Sequence, residues 1–368
     1  DLLHRQVHQY VAAPAIDPAV CVAGSGCRAC VDVCPRQALT WHAGEVSYDR
    51  VACEPCGRCV TACPTGAVVN PAITPAQLEA EITAALDPAV GPPGPRGIVF
   101  TCSRAGAPLP TDGAPPGTWY PVSLPCVGMA SAAWLLAPLL MGAGSVVARP
   151  CSDTGCPLDH SDVVESTVAF CADLLSALGS APERVSTDAD RVLEPLPKAD
   201  LHDRFDPGAT LDILRSLVAL DGSQPALVID HERSPLGIID IDIDTCTACT
   251  MCAQVCPTDA LQSAQSADTV VISFDAAQCV ACDQCTTHCP ELGRGAIALH
   301  HRVDMAAVDI GPQDLVRADV VMCEACGAPI GPGPTLERIS ALLPPQDAAM
   351  VDLLQRRCVD CRSRLPVI

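Results

Sequence analysis

The sequence predicts an α+β chain built as a string of small domains around bound metal, not as one large core. Three observations carry this. Aromatic residues are only 3% of the 368 residues, too few to fill the interior of a single domain that long. The 25 cysteines fall in separate groups, most of them two residues apart, so metal would replace part of the apolar packing. Short β-prone and helical stretches alternate only in the middle of the chain, where a compact α/β domain is expected.

The strongest group lies between Cys246 and Pro290. Cys246, Cys249, Cys252 and Cys256 repeat their spacing at Cys279, Cys282, Cys285 and Cys289, each run being C-x2-C-x2-C-x3-C followed by Pro. This resembles the bacterial two-cluster ferredoxins, whose fourth cysteine ligates the other cluster. The resemblance implies one 4Fe-4S site of Cys246, Cys249, Cys252 and Cys289, and another of Cys279, Cys282, Cys285 and Cys256. Zinc knuckles, the alternative, use two C-x2-C pairs per metal instead of runs of four.

A second copy of the pattern stands near the start. Cys53, Cys56, Cys59 and Cys63 match it fully. The preceding run keeps Cys27, Cys30 and Cys34, but Gly24 occupies the first cysteine's place. Cys21 can supply the missing thiolate through the flexible loop that follows it; otherwise the site is a three-iron form or absent. The crossing rule then gives Cys21, Cys27, Cys30 and Cys63 for one site, and Cys53, Cys56, Cys59 and Cys34 for the other. Two β-prone runs around Ala43-Gly44 predict a hairpin between them. Arg36-Gln37-Ala38-Leu39 and Thr258-Asp259-Ala260-Leu261 follow the first run of each copy, and Gly66-Ala67 and Gly295-Ala296 the second, as a duplication would leave them.

The boundaries follow from composition: residues 1–74 for the first ferredoxin-like module, 75–96 for a linker with a helix from Pro75 to Leu86, 97–189 for the α/β domain, 190–237 for a Pro-rich connector, 238–303 for the second module and 304–368 for a tail. In the α/β domain, strands ending at Cys102, Cys126 and Cys151 would converge on one sheet edge, with Cys156 close behind. Pro121 to Ala148 carries no charge, yet its prolines and glycines read as strand, helix, turn and strand better than as a membrane span. FTCSRAGA, LPCVGMAS and PCSDTGCP, followed by a helix from Asp162 to Leu178, resemble the delta subunit of methyl-viologen-reducing hydrogenase. That resemblance implies a 2Fe-2S cluster on Cys102, Cys126, Cys151 and Cys156, against a zinc site or unligated thiols. It also implies a partner that is a hydrogenase, a formate dehydrogenase or a flavoprotein of the heterodisulfide-reductase type. His160 is a spare ligand there, and Cys171 reads as a small buried residue on a helix.

In the tail, Cys323-x2-Cys326 and Cys358-x2-Cys361 have the form of a closed four-thiolate site for zinc, with rubredoxin-type iron as the alternative. These assignments leave only Cys171 unused, and no thiol for nucleophilic catalysis. His288 reads as tuning a cluster or merely exposed, and His4 and His8, four apart on a short helix, as a solvated face.

A net charge of −21 argues against nucleic acid and suits docking on a basic partner surface. Clustered cysteines without a signal-like segment favour a reducing compartment, the cytoplasm, with membrane contact only through a partner. The sequence therefore predicts a multi-cluster electron-relay subunit of a hetero-oligomeric oxidoreductase, carrying four 4Fe-4S clusters, one 2Fe-2S cluster and one zinc. A free-standing polyferredoxin carrier and a redox sensor are the alternatives.

Overall fold

A computed structural model describes residues 13–89, 93–102, 118–150, 158, 160–188, 191–220, 227–344 and 348–363. The chain divides into two compact units, one of Asp1–Pro235 with His301–Met305, the other of Leu236–His300 with Ala306–Ile368. His4 and His8 lie outside the described residues, as do Cys151 and Cys156.

The first unit begins with β1 (Ala15–Ile16), α1 (Ala29–Asp32), β2 (Leu39–His42), β3 (Glu45–Tyr48), α2 (Arg58–Thr61) and β4 (Val68–Val69). β1 and β4 pair antiparallel, and β2 and β3 form the expected hairpin, with Ala43 and Gly44 both at positive φ in its two-residue turn. Each one-turn helix carries a buried cysteine, Cys30 in α1 and Cys59 in α2. The predicted helix follows as α3 (Pro75–Leu86), opened by Thr74, whose side chain accepts from the Gln77 N–H while the Gln77 side chain accepts from the Thr74 N–H. It is no linker. Leu78, Ile82 and Leu86, at i, i+4 and i+8, form a buried stripe that packs on the next domain.

That domain is a four-stranded parallel sheet of β5 (Gly97–Cys102), β6 (Trp119–Leu124), β7 (Ser145–Ala148) and β8 (Val185–Ser186), in the order β6-β5-β7-β8. Between its strands lie α4 (Ala132–Met141) and α5 (Ser161–Ala177). Every residue of α4 is buried, because the helix packs on β7, α3, α5 and α6 (Thr210–Leu220). The uncharged stretch 121–148 is thus the interior of this sheet domain, and among the described residues no helix is long and apolar enough to cross a membrane. The connector is also part of the fold. Trp134 donates from Nε1 to the Phe205 carbonyl at 3.0 Å, the two rings meet edge to face, and Ile213, Leu214 and Leu217 are buried from α6. Its last strand, β9 (Val228–Asp230), pairs antiparallel with Arg302, Val303 and Asp304.

The second unit contains β10 (Gly237–Ile241), α7 (Met251–Gln254), β11 (Leu261–Gln265), β12 (Thr269–Phe274), α8 (Gln284–Thr287) and the first half of β13 (Ile297–Asp304). Its tail adds β14 (Gln313–Met322), β15 (Pro329–Pro332), α9 (Gly333–Leu342), α10 (Ala348–Arg356) and α11 (Val359–Ser363). The sequence separates this tail from the second module, but the structure joins them: β14 pairs with β12, giving a four-stranded sheet β11-β12-β14-β15. Val316, Ala318 and Val320 point inward from β14 while Arg317 and Asp319 point out, the alternation of a strand with one buried face.

Candidate metal centres

The sequence predicts four quartets of cysteines, and in each the thiols feel one another's charge. Burial pushes the Cys30 thiol up to about 12, and the nearby Cys63, Cys27 and Cys21 add to the shift; Cys27 is raised the same way, by burial first and then by Cys63 and Cys21. Burial raises Cys53 to about 11, with Cys56 and Cys34 contributing. In the second unit burial raises Cys252 to about 12, helped by Cys246, Cys249 and Cys289, and Cys279 to about 11, helped by Cys256. Three quartets line distinct small cavities of about 20 Å³ each: Cys34, Cys53, Cys56 and Cys59 the first, Cys246, Cys249, Cys252 and Cys289 the second, and Cys256, Cys279, Cys282 and Cys285 the third. Four thiolates in so small a buried space repel one another and lack water, so they ionise together only around a cationic core. The donor set therefore fits an iron–sulfur cluster.

Cys21 stands in its quartet because of the backbone around it. Its N–H donates to the Asp17 carbonyl at 3.0 Å, and the Asp17 N–H donates to the Ala67 carbonyl at 2.8 Å. The second unit repeats both bonds, Cys246 to Asp242 at 2.8 Å and Asp242 to Ala296 at 3.1 Å. Cys21 is thus the counterpart of Cys246. The extra residues before Cys27 form a separate 3-10 turn, Ala23–Ser25, held by the Trp41 indole donating to the Ala23 carbonyl at 3.0 Å.

Sulfurs also receive backbone hydrogen bonds: Ala38 N–H to Cys34 at 3.3 Å, Ala248 N–H to Cys246 and Leu261 N–H to Cys256, both at 3.4 Å. Residues between the cysteines at positive φ, Gly57, Ala248, Thr250, Ala281 and Asp283, make the tight loops that bring the thiols inward. Gly57 has a second reason to lack a side chain, since a Cβ there would meet the Met129 side chain at 2.7 Å.

Two family models, each of a 4Fe-4S dicluster domain, match the chain, one at residues 20–67 and the other at residues 245–294. The chain carries two 4Fe-4S dicluster domains, one in its N-terminal and one in its C-terminal region. The two matches begin one residue before Cys21 and Cys246, the pair that the backbone bonds make equivalent. The dicluster domains imply at least four 4Fe-4S clusters and an electron-transfer role. No curated protein matches the chain.

In the sheet domain, Cys102 ends β5 and Cys126 follows β6, both buried at the C-terminal edge of adjacent parallel strands. Cys102 approaches the Pro125 carbonyl at 3.5 Å, and Cys126 Sγ lies 3.5 Å from Nδ1 of the buried His160. The Gly128 N–H donates to Cys126 Sγ at 3.4 Å. The same loop packs on α2 of the first dicluster domain, where Cys59 sits. Cys171 is fully buried in α5, 3.9 Å from the Ala132 carbonyl, and burial alone pushes its thiol up. His288 shares a 2.9 Å hydrogen bond between its Nδ1 and the Gln284 carbonyl, which fixes it to the end of α8.

The tail cysteines meet most closely. The sulfurs of Cys323, Cys326, Cys358 and Cys361 all lie within 4.8 Å of one another, with Cys326 and Cys358 at 3.6 Å. Cys323 follows β14 and donates from its N–H to the Ala328 carbonyl at 2.8 Å, with Gly327 at positive φ between them; Cys361 rides on α11. Hydrogen bonds from backbone N–H groups, that of Cys358 foremost, bring the Cys323 thiol down to about 6, whereas sharing protons with Cys326 and Cys358 pushes Cys361 up to about 12. The arrangement suits one ion with four sulfur ligands. Sequence reasoning missed two residues of this region, Thr335 and Arg338 of α9, which bond to the loops of the second dicluster domain. No motif marks them.

Proposed function

We propose that the chain is the electron-relay subunit of an oxidoreductase complex and that its substrate chemistry belongs to another subunit. The observation that carries this is the adjacency of quartets inside each dicluster domain. The Cys59 thiol, raised mainly by burial, feels Cys30 of the neighbouring quartet, and Cys285, raised mainly by burial, feels Cys252. A bound 4Fe-4S cluster exchanges one electron at a time. The protein's own part is to hold the thiolates, exclude water and aim N–H groups at sulfur, which together set the reduction potentials.

The finer assignments are proposals of the same kind. The ligand sets are Cys21, Cys27, Cys30 and Cys63; Cys34, Cys53, Cys56 and Cys59; Cys246, Cys249, Cys252 and Cys289; and Cys256, Cys279, Cys282 and Cys285. A 2Fe-2S cluster on Cys102, Cys126, Cys151 and Cys156 is supported by the first two lying on one sheet edge. Zinc on the tail quartet is supported by the mutual approach of its sulfurs. The likeness of the sheet domain to the hydrogenase delta subunit points to a hydrogenase, a formate dehydrogenase or a flavoprotein as partner, in the cytoplasm. Anaerobic purification with metal analysis and EPR tests the reading, and the expected content is about 18 Fe and about one Zn per chain. About 16 Fe would remove the 2Fe-2S assignment alone. A reconstituted preparation without any reducible chromophore would overturn the relay.

A further inference from the structure

The tail does more than carry four thiols, because its helix α9 bonds to two residues that wall one cluster pocket. The cavity of Cys246, Cys249, Cys252 and Cys289 is walled in part by Thr247 and Glu291, both buried. These are the two residues that α9 holds. Thr335 donates from its hydroxyl to the Thr247 carbonyl, and Arg338 donates from Nε to Glu291 at 2.9 Å. Glu291 also accepts from Arg294 at 3.0 Å, so its carboxylate is clamped between two guanidiniums beside Cys289.

The helix that makes these contacts is tied at both ends to the four-sulfur site. Its N-terminal side follows β15, which pairs with β14 immediately before Cys323. On its other side, Gln355 of α10 donates to the Ser340 hydroxyl of α9 at 2.8 Å, and α10 leads into Cys358. The Glu324 N–H, inside the first knuckle, donates to the Arg356 carbonyl at 3.0 Å, which draws the second knuckle onto the first. Strand, helix pair and knuckles thus make one closed loop of structure. A single ion at the four sulfurs would keep that loop from opening, since α9 has no buried side chain to hold it there.

We propose that the tail is a thiolate-held clasp: Cys323, Cys326, Cys358 and Cys361 bind one zinc-type divalent ion, and that ion keeps α9 pressed on Thr247 and Glu291 so as to seal the Cys246 pocket from solvent. The clasp rests on the proposed zinc and 4Fe-4S assignments, and it adds a protective role specific to one of the four cluster sites.

The test uses the full chain, purified anaerobically, with zinc content and the rate of iron release to a ferrous chelator as readouts. Two variants separate the ion from the grip. In Cys358→Ser/Cys361→Ser the one zinc is lost, and roughly four irons are expected to leave in a new fast phase while the remainder leave at the wild-type rate. In Thr335→Val/Arg338→Ala the zinc is retained, yet the same fast phase of roughly four irons appears. Loss of zinc with unchanged iron release overturns the clasp and leaves the zinc assignment standing. Uniformly faster release of all the iron also overturns it, because that is general unfolding. A wild-type chain whose tail binds no metal defeats both the clasp and the zinc reading, and one without cluster iron defeats the relay itself.

Discussion

Replacing Cys21 by Ser tests most directly how the first dicluster domain is built. Cys21, Cys27, Cys30 and Cys63 share one another's field, and the Cys21 N–H donates to the Asp17 carbonyl as the Cys246 N–H donates to that of Asp242. With Cys21 gone, three mutually close thiols remain, enough to ligate three corners of a cubane. The expected loss is therefore about one iron, leaving a three-iron form, with about four as the upper limit if the whole cluster leaves. A second variant makes the assay sharper. Gly24 stands where the spacing rule puts the cysteine, and a Cβ there meets nothing within 4 Å, so Gly24→Cys fits sterically. In the Cys21→Ser background it is expected not to restore the iron, because residue 24 belongs to the separate turn Ala23–Ser25 and lacks the bond to Asp17. Iron per chain and the EPR of the oxidised protein are the measurements. Full iron in Cys21→Ser, or full rescue by Gly24→Cys, refutes the argument from the backbone.

Two further outcomes follow from burial. Leu78→Ala or Ile82→Ala removes a fully buried side chain of α3 and should cost about 2–5 kcal/mol in urea unfolding, whereas a change on a linker helix would stay within about 0.5 kcal/mol. The raised thiols give a pH dependence with a definite sign. Cys30 and Cys252 at about 12, and Cys53 and Cys279 at about 11, keep their protons at neutral pH in the metal-free chain. Ligation requires thiolates, so loading must release protons and must weaken as pH falls. The same shifts raise the folded values above the ordinary 9.0, so their contribution to the metal-free fold is complete below that value and is lost as pH rises from there through 11 to 12. Proton release to an indicator dye during anaerobic reconstitution, and melting of the metal-free chain across that range, check both statements; loading independent of pH would contradict them.

Much of this protein is legible in its sequence, for reasons that are local. The C-x2-C runs are legible because a short loop can place thiols round a small core only at such spacings, and the strands and helices of the sheet domain because their apolar periods match their geometry. The hairpin at Ala43-Gly44, the capped helix Pro75–Leu86 and the burial of Cys171 are likewise where residue chemistry puts them. Tertiary structure alone decided the rest, since it depends on partners distant along the chain. The stripe of α3 reads as a linker helix until the sheet domain covers it, and the connector's sequence, which predicts one helix (Ala209 to Leu220) and one strand (Ala226 to Ile229), does not show that Phe205 meets Trp134. The backbone bond of Cys21 to Asp17, matched by that of Cys246 to Asp242, is likewise contained in no spacing rule. The tail gave two cysteine pairs in one dimension; only pairing of β14 with β12, and the reach of Arg338 to Glu291, made it part of the second dicluster unit. Ligand type is written in the sequence, because it is a property of single residues. Which walls stand beside those ligands is a property of packing.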